Sequence, residues 1–506
     1  MNRWSAAAAL LLAFVAALAL RLPKLDARPL HNDEAVNAIK VTKLWEKGVY
    51  RYDPDEYHGP TLHYATLPFL WLSGAKSSIH LRDSALRLAP VFFGAALIFL
   101  LPLFKSGFDR RALVWAALFI VISPAMVFYS RYFIHEMLLV FFSVLTIGAG
   151  WRYAQSGDWR WATLTGVGVG LMFATKETFV ITIAAMVGAL VLMFVLGRAR
   201  LPESTVFSKH AAIGFVAFTV VWVILFTSFF TNWQGLADSI RTYLPWLKRA
   251  GGHSPHIHPW YFYFERLAWF HPVKSPVWSE LLVFALAIFG GIVGIRRKAA
   301  FPTFLAIFTL LLTFAYSAIS YKTPWCLLNF YIGMLLLAGY GAASIRHWAI
   351  TTCVVVSALQ LAYQSYRASY VFASDRRNPY VYAQTVPDLL NLVEKVHSIA
   401  KVDTQIHDER RFETVIKVIA PDGDYWPLPW YLRRFKNVGW YDAMPPDPFA
   451  PIIIVGATMD ARLDEKSEKK WIMAGYTELR PQKFLELYVE VELWKKYVAT
   501  LPRDKE

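Results

Sequence analysis

Eleven stretches of roughly twenty mostly apolar residues recur along this chain, each long enough for one helix to cross a bilayer. They lie near 4–21, 84–104, 111–129, 134–151, 160–175, 178–197, 209–230, 279–295, 300–319, 324–343 and 347–366. With 56% hydrophobic and only 18% charged residues, the chain reads as a polytopic α-helical membrane protein with about 11 transmembrane helices. The formal charge of +15 could point to nucleic acid, but no nucleic-acid motif accompanies it. Basic loops facing anionic lipid headgroups account for it instead. The two cysteines, Cys326 and Cys353, both fall in apolar runs, so neither a disulfide framework nor a CxxC metal site is expected. The first apolar run resembles a signal peptide, yet ALALRLP lacks a clear small-residue cleavage site, so it reads as an uncleaved anchor.

Orientation follows from the short loops. Lys105, Arg110 and Arg111 follow the second run, Arg152 and Arg160 the fourth, and Arg198, Arg200 and Lys209 the sixth. Arg296, Arg297 and Lys298 follow the eighth, and Arg346 the tenth. Every even-to-odd loop is basic and is therefore expected inside, with a cytoplasmic N-terminus in a multi-pass protein of the cell membrane. The long loops 22–83 and 231–277 then lie outside. So does a C-terminal domain, 367–506, which follows a transmembrane catalytic domain, 1–366. TVIKVIA (414–420) and PIIIVG (451–456) read as buried strands, and 387–400 and 464–475 as amphipathic helices. Their alternation predicts a small extracytoplasmic α/β domain. No internal repeat argues for an inverted-repeat transporter.

Ionisable residues crowd the predicted outer face. RPLHNDEAVNA (28–38) places Asp33 and Glu34 just beyond the first span, and DPDEYHGPTLHY (53–64) adds His58 and His63. YSRYFIHEM (129–137) carries Arg131, His135 and Glu136, with Arg131 and His135 on one face if the turn is helical. FATKETF (173–179) carries Lys176 and Glu177, and SYKTPW (320–325) carries Tyr321 and Lys322. A single helix-end cation commonly just snorkels to the interface, and Glu136 and Glu177 could pair with Arg131 and Lys176. HSPHIHP (253–259) has no nearby carboxylate and makes a poor metal cluster. Asp33 could be no more than the cap of a helix from Glu34 to about Lys47. The coincidence of so many costly groups on one face favours function. Carboxylates there suit a general base toward a hydroxyl, and Lys and Arg at headgroup depth suit a phosphate.

HNDEA (31–35), YHGPTLHY (57–64), SRYFIHEM, GLMFATKETF, SYKTPW and DYWPLPWYLR (424–433), in this order, resemble the GT-C superfamily of polyprenyl-phosphate-sugar glycosyltransferases. That superfamily includes the protein O-mannosyltransferases, and the branch most similar is the flippase-activity-associated proteins of archaea and bacteria. The resemblance covers nearly the whole chain. It implies inverting transfer of a sugar from a polyprenyl-phosphate donor to a glycan, lipid or protein acceptor. Asp33 would be the catalytic base, Glu34 its support, and Glu136 the second acidic position. His58, His63, His135, Glu177 and Tyr321 would join them on the substrate side, with Arg131, Lys176 and Lys322 near the donor phosphate. No convincing metal-ligand set is apparent, so metal independence is expected, although some members of the superfamily use a divalent ion. A flippase or transporter of lipid-linked saccharides is the alternative. The aromatic residues of WPLPWYLRRF (426–435) are expected to help cover the acceptor.

The orientation has a direct test. Accessibility tags in 367–380 should report outside and tags at 296–298 inside; a cytoplasmic C-terminus would separate the donor phosphate from Asp33.

Overall fold

The computed structural model describes residues 3–55, 58–198, 204–251, 256–403 and 412–502. Glu56 and Tyr57 of the first loop, Arg200, and the 253–255 part of HSPHIHP lie outside the described residues. The first half of the helical region comprises α1 (Arg3–Ala19), α2 (Asn32–Lys47), α3 (Thr61–Leu72), α4 (Asp83–Ala96), α5 (Arg110–Ile122), α6 (Pro124–Ser130), α7 (Glu136–Ser156), α8 (Trp159–Phe173) and α9 (Phe179–Val195). It continues with α10 (Ser204–Phe226), the short α11 (Gln234–Arg241), α12 (Tyr243–Gly251) and α13 (Phe262–Ala268), then α14 (Leu281–Arg296), α15 (Ala300–Ala318), α16 (Leu328–Ser344) and α17 (Trp348–Tyr366).

Every predicted span coincides with helix. Among the described residues five helices are long and apolar enough to cross a membrane, and a sixth if α5 and α6, bent by 57° at Ser123, count as one. The count of eleven is finer than this. Helices such as α8, with 15 residues, reach only about 22 Å at 1.5 Å per residue. Ser123 explains the bend: its hydroxyl accepts from the Met126 N–H and Pro124 follows, so a new helix is capped where the old one stops. Small residues set the helix spacing. A Cβ on Gly290 of α14 would lie 2.2 Å from the Leu337 carbonyl of α16, an approach that only glycine permits.

Past α17, the C-terminal domain holds α18 (Asp388–Asp403), β1 (Ile416–Ile419), α19 (Leu428–Tyr431), β2 (Val438–Tyr441), β3 (Ile452–Gly456), α20 (Leu463–Lys466), β4 (Trp471–Arg480), β5 (Lys483–Glu490) and α21 (Val491–Val498). The strands form one sheet in the order β2-β1-β3-β5-β4, with β1 parallel to β2 and β3, and β5 antiparallel to β3 and β4. Leu389, Leu392 and Val396 of α18 pack on Ile416, Val418, Ile452 and Leu487. The helix predicted over 464–475 is corrected here. It stops at Lys466, because Glu468 and Lys469 adopt positive φ (52° and 64°) and turn the chain into β4. WIMAGYTELR is rich in strand-forming residues and pairs with β5, so sheet pairing overrides the short helical charge pattern.

The domain is docked on the helical region through the segment expected to cover the acceptor. Trp430 Nε1 and the Tyr431 hydroxyl donate to the two oxygens of Asp83, at 2.8 and 2.6 Å. The Tyr431 oxygen also accepts from the Leu30 N–H at 2.7 Å. Arg433 donates to the carbonyls of Ser78 and Leu81. Trp430 is 1% exposed, so it serves docking and presents no face to a sugar. Asp83→Ala strands two buried donors, at about 1–3 kcal/mol each. We expect faster protease cleavage between 372 and 387, with the helical region still folded.

Candidate active site

The turn HNDEA is built from its own side chains. His31 keeps an extended backbone and caps α2, its Nδ1 accepting from the Asp33 N–H at 3.1 Å. Glu34 returns the favour, its Oε2 accepting from the His31 N–H at 2.9 Å, which closes a capping box. The helix therefore begins at Asn32, and His31 rather than Asp33 is its cap. Burial lowers the His31 imidazole, so the ring is neutral and free to accept.

Glu34 is fully buried. Arg87 grips it with Nε at 2.7 Å from Oε1 and Nη2 at 2.8 Å from Oε2, Arg28 reaches Oε2 at 3.3 Å, and the Phe133 N–H donates to Oε1 at 2.9 Å. Burial alone would raise this carboxyl, but Arg87 and Arg28 outweigh it and pull it down to about 2. Its stabilisation is thus complete above pH 4.5 and declines only as the pH falls toward 2. With every oxygen committed, Glu34 cannot exchange a proton with a substrate. The expectation that it is catalytic becomes a positioning role: it locks α2 to α4 and to the 131–135 turn.

Asp33, one residue earlier on the helix, points the other way. Its side chain is 44% exposed, and no hydrogen bond to it occurs among the described residues. It lines a cavity of about 220 Å³ with Asp55, His58, His135, Glu136 and Tyr321, walled by Trp246 and Trp325. Gly59 holds the first loop against this cavity's rear. Its N–H donates to the Thr175 carbonyl, and a Cβ there would sit 2.2 Å from the Ala174 oxygen. The first loop thereby packs directly on the turn bearing Lys176 and Glu177.

The structure divides the remaining predicted residues. Glu136 opens α7, buried, and takes a hydrogen bond from the buried Lys176, so the two charges cancel. Glu177 accepts from His58 Nδ1 at 2.7 Å and from the Tyr52 hydroxyl at 3.2 Å, while the His58 ring stacks on Trp246. Burial would raise Glu177, but His58 beside it brings it down. His135 Nε2 donates to the Gly59 carbonyl at 3.1 Å, which leaves Nδ1 without a partner among the described residues. Burial holds the His135 ring neutral. His63 is wholly buried behind it, 5.6 Å ring to ring, and does not line the cavity.

Arg131 departs from expectation. The segment from Arg131 to His135 is an irregular turn between α6 and α7, so i, i+4 spacing does not align Arg131 with His135. The Arg131 guanidinium turns away and donates to the carbonyls of Arg21, Pro23 and Lys24. Tyr321 lines the cavity, whereas the neighbouring Lys322 ammonium donates to the carbonyls of Ile319 and His258. His256 and His258 both meet the Tyr382 hydroxyl, at 2.7 and 3.1 Å. Among the described residues no three His, Cys, Asp or Glu side chains group as metal ligands. Sequence reasoning missed Arg28, Arg87 and Trp246. Arg87 carried a signal, since an arginine inside an apolar run is expensive without a partner.

Over residues 68–224 the chain matches the family model described as dolichyl-phosphate-mannose-protein mannosyltransferase. ArnT from Cupriavidus metallidurans, solved bound to undecaprenyl phosphate, is similar over 100% of both chains, with a TM-score of 0.62 and 14% identity. AglB, the oligosaccharyltransferase of Archaeoglobus fulgidus, was solved with an inhibitory peptide and a dolichol-phosphate. It is similar over 90% of this chain and 69% of its own, with a TM-score of 0.56 and 13% identity. The chain has the GT-C fold. A search of curated proteins by sequence finds no match.

Glu34→Gln should leave Arg87 and Arg28 buried around a neutral amide, a loss of about 3–5 kcal/mol of the kind seen when one partner of a buried pair is removed. Thermal unfolding in detergent should report a clear destabilisation. A silent substitution would show that Glu34 does not hold the turn.

Proposed function

We propose that this chain is a membrane glycosyltransferase. It transfers a sugar, with inversion, from a polyprenyl-phosphate donor to a hydroxyl acceptor. The observation that carries the reading is the pairing of roles at 33 and 34: Glu34 is fully neutralised and immobile, while Asp33 is held beside it with its oxygens open to the cavity. Undecaprenyl phosphate in the ArnT structure and dolichol-phosphate in the AglB structure support the donor class.

In this reading Asp33 accepts the proton of the acceptor hydroxyl as that oxygen attacks the anomeric carbon. The bond from that carbon to the phosphate oxygen breaks on the opposite side, and polyprenyl phosphate leaves. A carboxylate suits the task because it is ionised at neutral pH and can take the proton as attack proceeds. His135 Nδ1, neutral and unpartnered among the described residues, is placed to accept a sugar hydroxyl. Trp246 offers a ring to a sugar face. Lys322, whose ammonium meets only backbone carbonyls among the described residues, is the cation retained for the donor phosphate. Lys176 is already neutralised by Glu136. Residues 1–366 would form the catalytic domain with eleven crossings, some by short helices, and residues 367–506 the domain outside.

The test uses purified protein with radiolabelled polyprenyl-phosphate sugars, scoring transferred or hydrolysed label. Asp33→Asn keeps size and leaves the His31 cap intact, so folding should be unchanged. We expect the chemical step to fall about 10²–10⁴-fold with donor binding within a few-fold. Full turnover by Asp33→Asn would remove Asp33 as the base. Movement of intact lipid across liposomes without release of polyprenyl phosphate would favour a flippase instead.

A further inference from the structure

A second cavity, of about 130 Å³, opens where the chain leaves α1 and α17. Its walls include Lys24, Arg28, Arg87, Arg131, Ser369 and Tyr370, and no carboxylate lines it. Its chemistry is the reverse of the Asp33 cavity, which is lined by three carboxylates and by no lysine or arginine among the described residues.

The positive charge here exceeds what the protein itself compensates. Arg28 and Arg87 share one carboxylate, Glu34. Among the described residues Arg131 meets only carbonyls and the Tyr370 hydroxyl and ring. Behind it, the buried Arg21 donates to the Ser130 hydroxyl and to the carbonyls of Ala17, Ile120 and Val121. Of the nearby acids, Asp375 pairs with Arg377, Asp83 adds its charge to that of Glu34 beside Arg87 while accepting from Trp430 and Tyr431, and Asp26 accepts from the Ser84 N–H; none of the three lines the cavity. Burial lowers the Arg131 guanidinium to about 10, with Tyr370 opposing and Arg28 and Arg87 adding to the fall. Buried cations without counter-charge are costly, so a site built this way calls for an anion. A second observation points the same way. The Ser369 hydroxyl, on the cavity wall and only 3% exposed, has no hydrogen-bond partner among the described residues.

We propose that this cavity binds the phosphate of an anionic lipid headgroup. Lys24 at the rim, Arg131 and Arg28 on the wall and the Ser369 hydroxyl would contact its oxygens. A lipid fits better than a free ion, because Val371, 58% exposed, lines the cavity and offers apolar surface to acyl chains. The site does not depend on sugar transfer. Its occupant would steady the 20–30 segment, which runs directly into the His31 cap.

Thermal unfolding of the full chain in neutral detergent tests the idea, with added phosphatidylglycerol, phosphatidylcholine of the same chains, or millimolar inorganic phosphate. Phosphatidylglycerol should raise the transition saturably, and phosphatidylcholine should not. Lys24→Asn with Ser369→Ala spares the arginine contacts, and asparagine tolerates the positive φ of 53° at position 24. This variant should bind phosphatidylglycerol roughly tenfold more weakly. If it fails to fold, Ser369→Ala alone should still weaken binding several-fold. Equal shifts from both lipids, unchanged affinity in the variants, or a full shift from inorganic phosphate alone would each overturn the proposal.

Discussion

One buried carboxylate organises the face that carries the candidate site. Glu34 gathers two guanidinium groups, the cap N–H of its own helix and the N–H of Phe133, so α2, α4 and the 131–135 turn meet at two oxygen atoms. Removing a carboxylate from water is expensive, and only near-complete satisfaction of its lone pairs makes the arrangement stable. The same requirement fixes the geometry, because a bidentate arginine tolerates little rotation. Asp33 inherits its position from that rigidity without contributing to it.

The electrostatic pattern follows from this centre. On one side the carboxylates of Asp33, Asp55 and Glu136 gather around a cavity that no described lysine or arginine lines, and Lys176 beside Glu136 is already neutralised. On the other side the arginines outnumber the acids and face the segment between α1 and α2. A turn of a few residues thus separates an acceptor-rich pocket from a donor-rich one. Proton abstraction and anion recognition need such opposite surroundings.

Much of this was legible in the sequence, and the failures have physical causes. Apolar run length located every long helix, because crossing or filling an apolar layer demands it. IKVI and IIIVG announced the strands β1 and β3 by their unbroken apolar character, as buried parallel strands do. HNDEA stands out as a special turn, but its two acids are distinguished only by the family resemblance, as base and support, and not by anything local to the turn. Which of them is neutralised depends on Arg87, more than fifty residues away, and no local pattern encodes that distance. Arg131 and His135 would share a face only in a helical turn, and the irregular path from 131 to 135 is not visible in YSRYFIHEM. The strand at Trp471 was missed because the charges of DEKSEKK look helical until sheet pairing is known. WPLPWYLRRF looked like a ligand surface because aromatic residues serve docking and sugar stacking equally well.

The hydroxyl of Tyr431 bridges Asp83 and the N–H of Leu30, the residue immediately before the His31 cap. Residue 431 leaves the ribosome long after residue 30, so a chain still being made must hold its first loop without this clasp. The contacts around this turn are complete only when the last part of the polypeptide has folded against the helical region. Such an arrangement makes completion of this turn a late event in the synthesis of the chain.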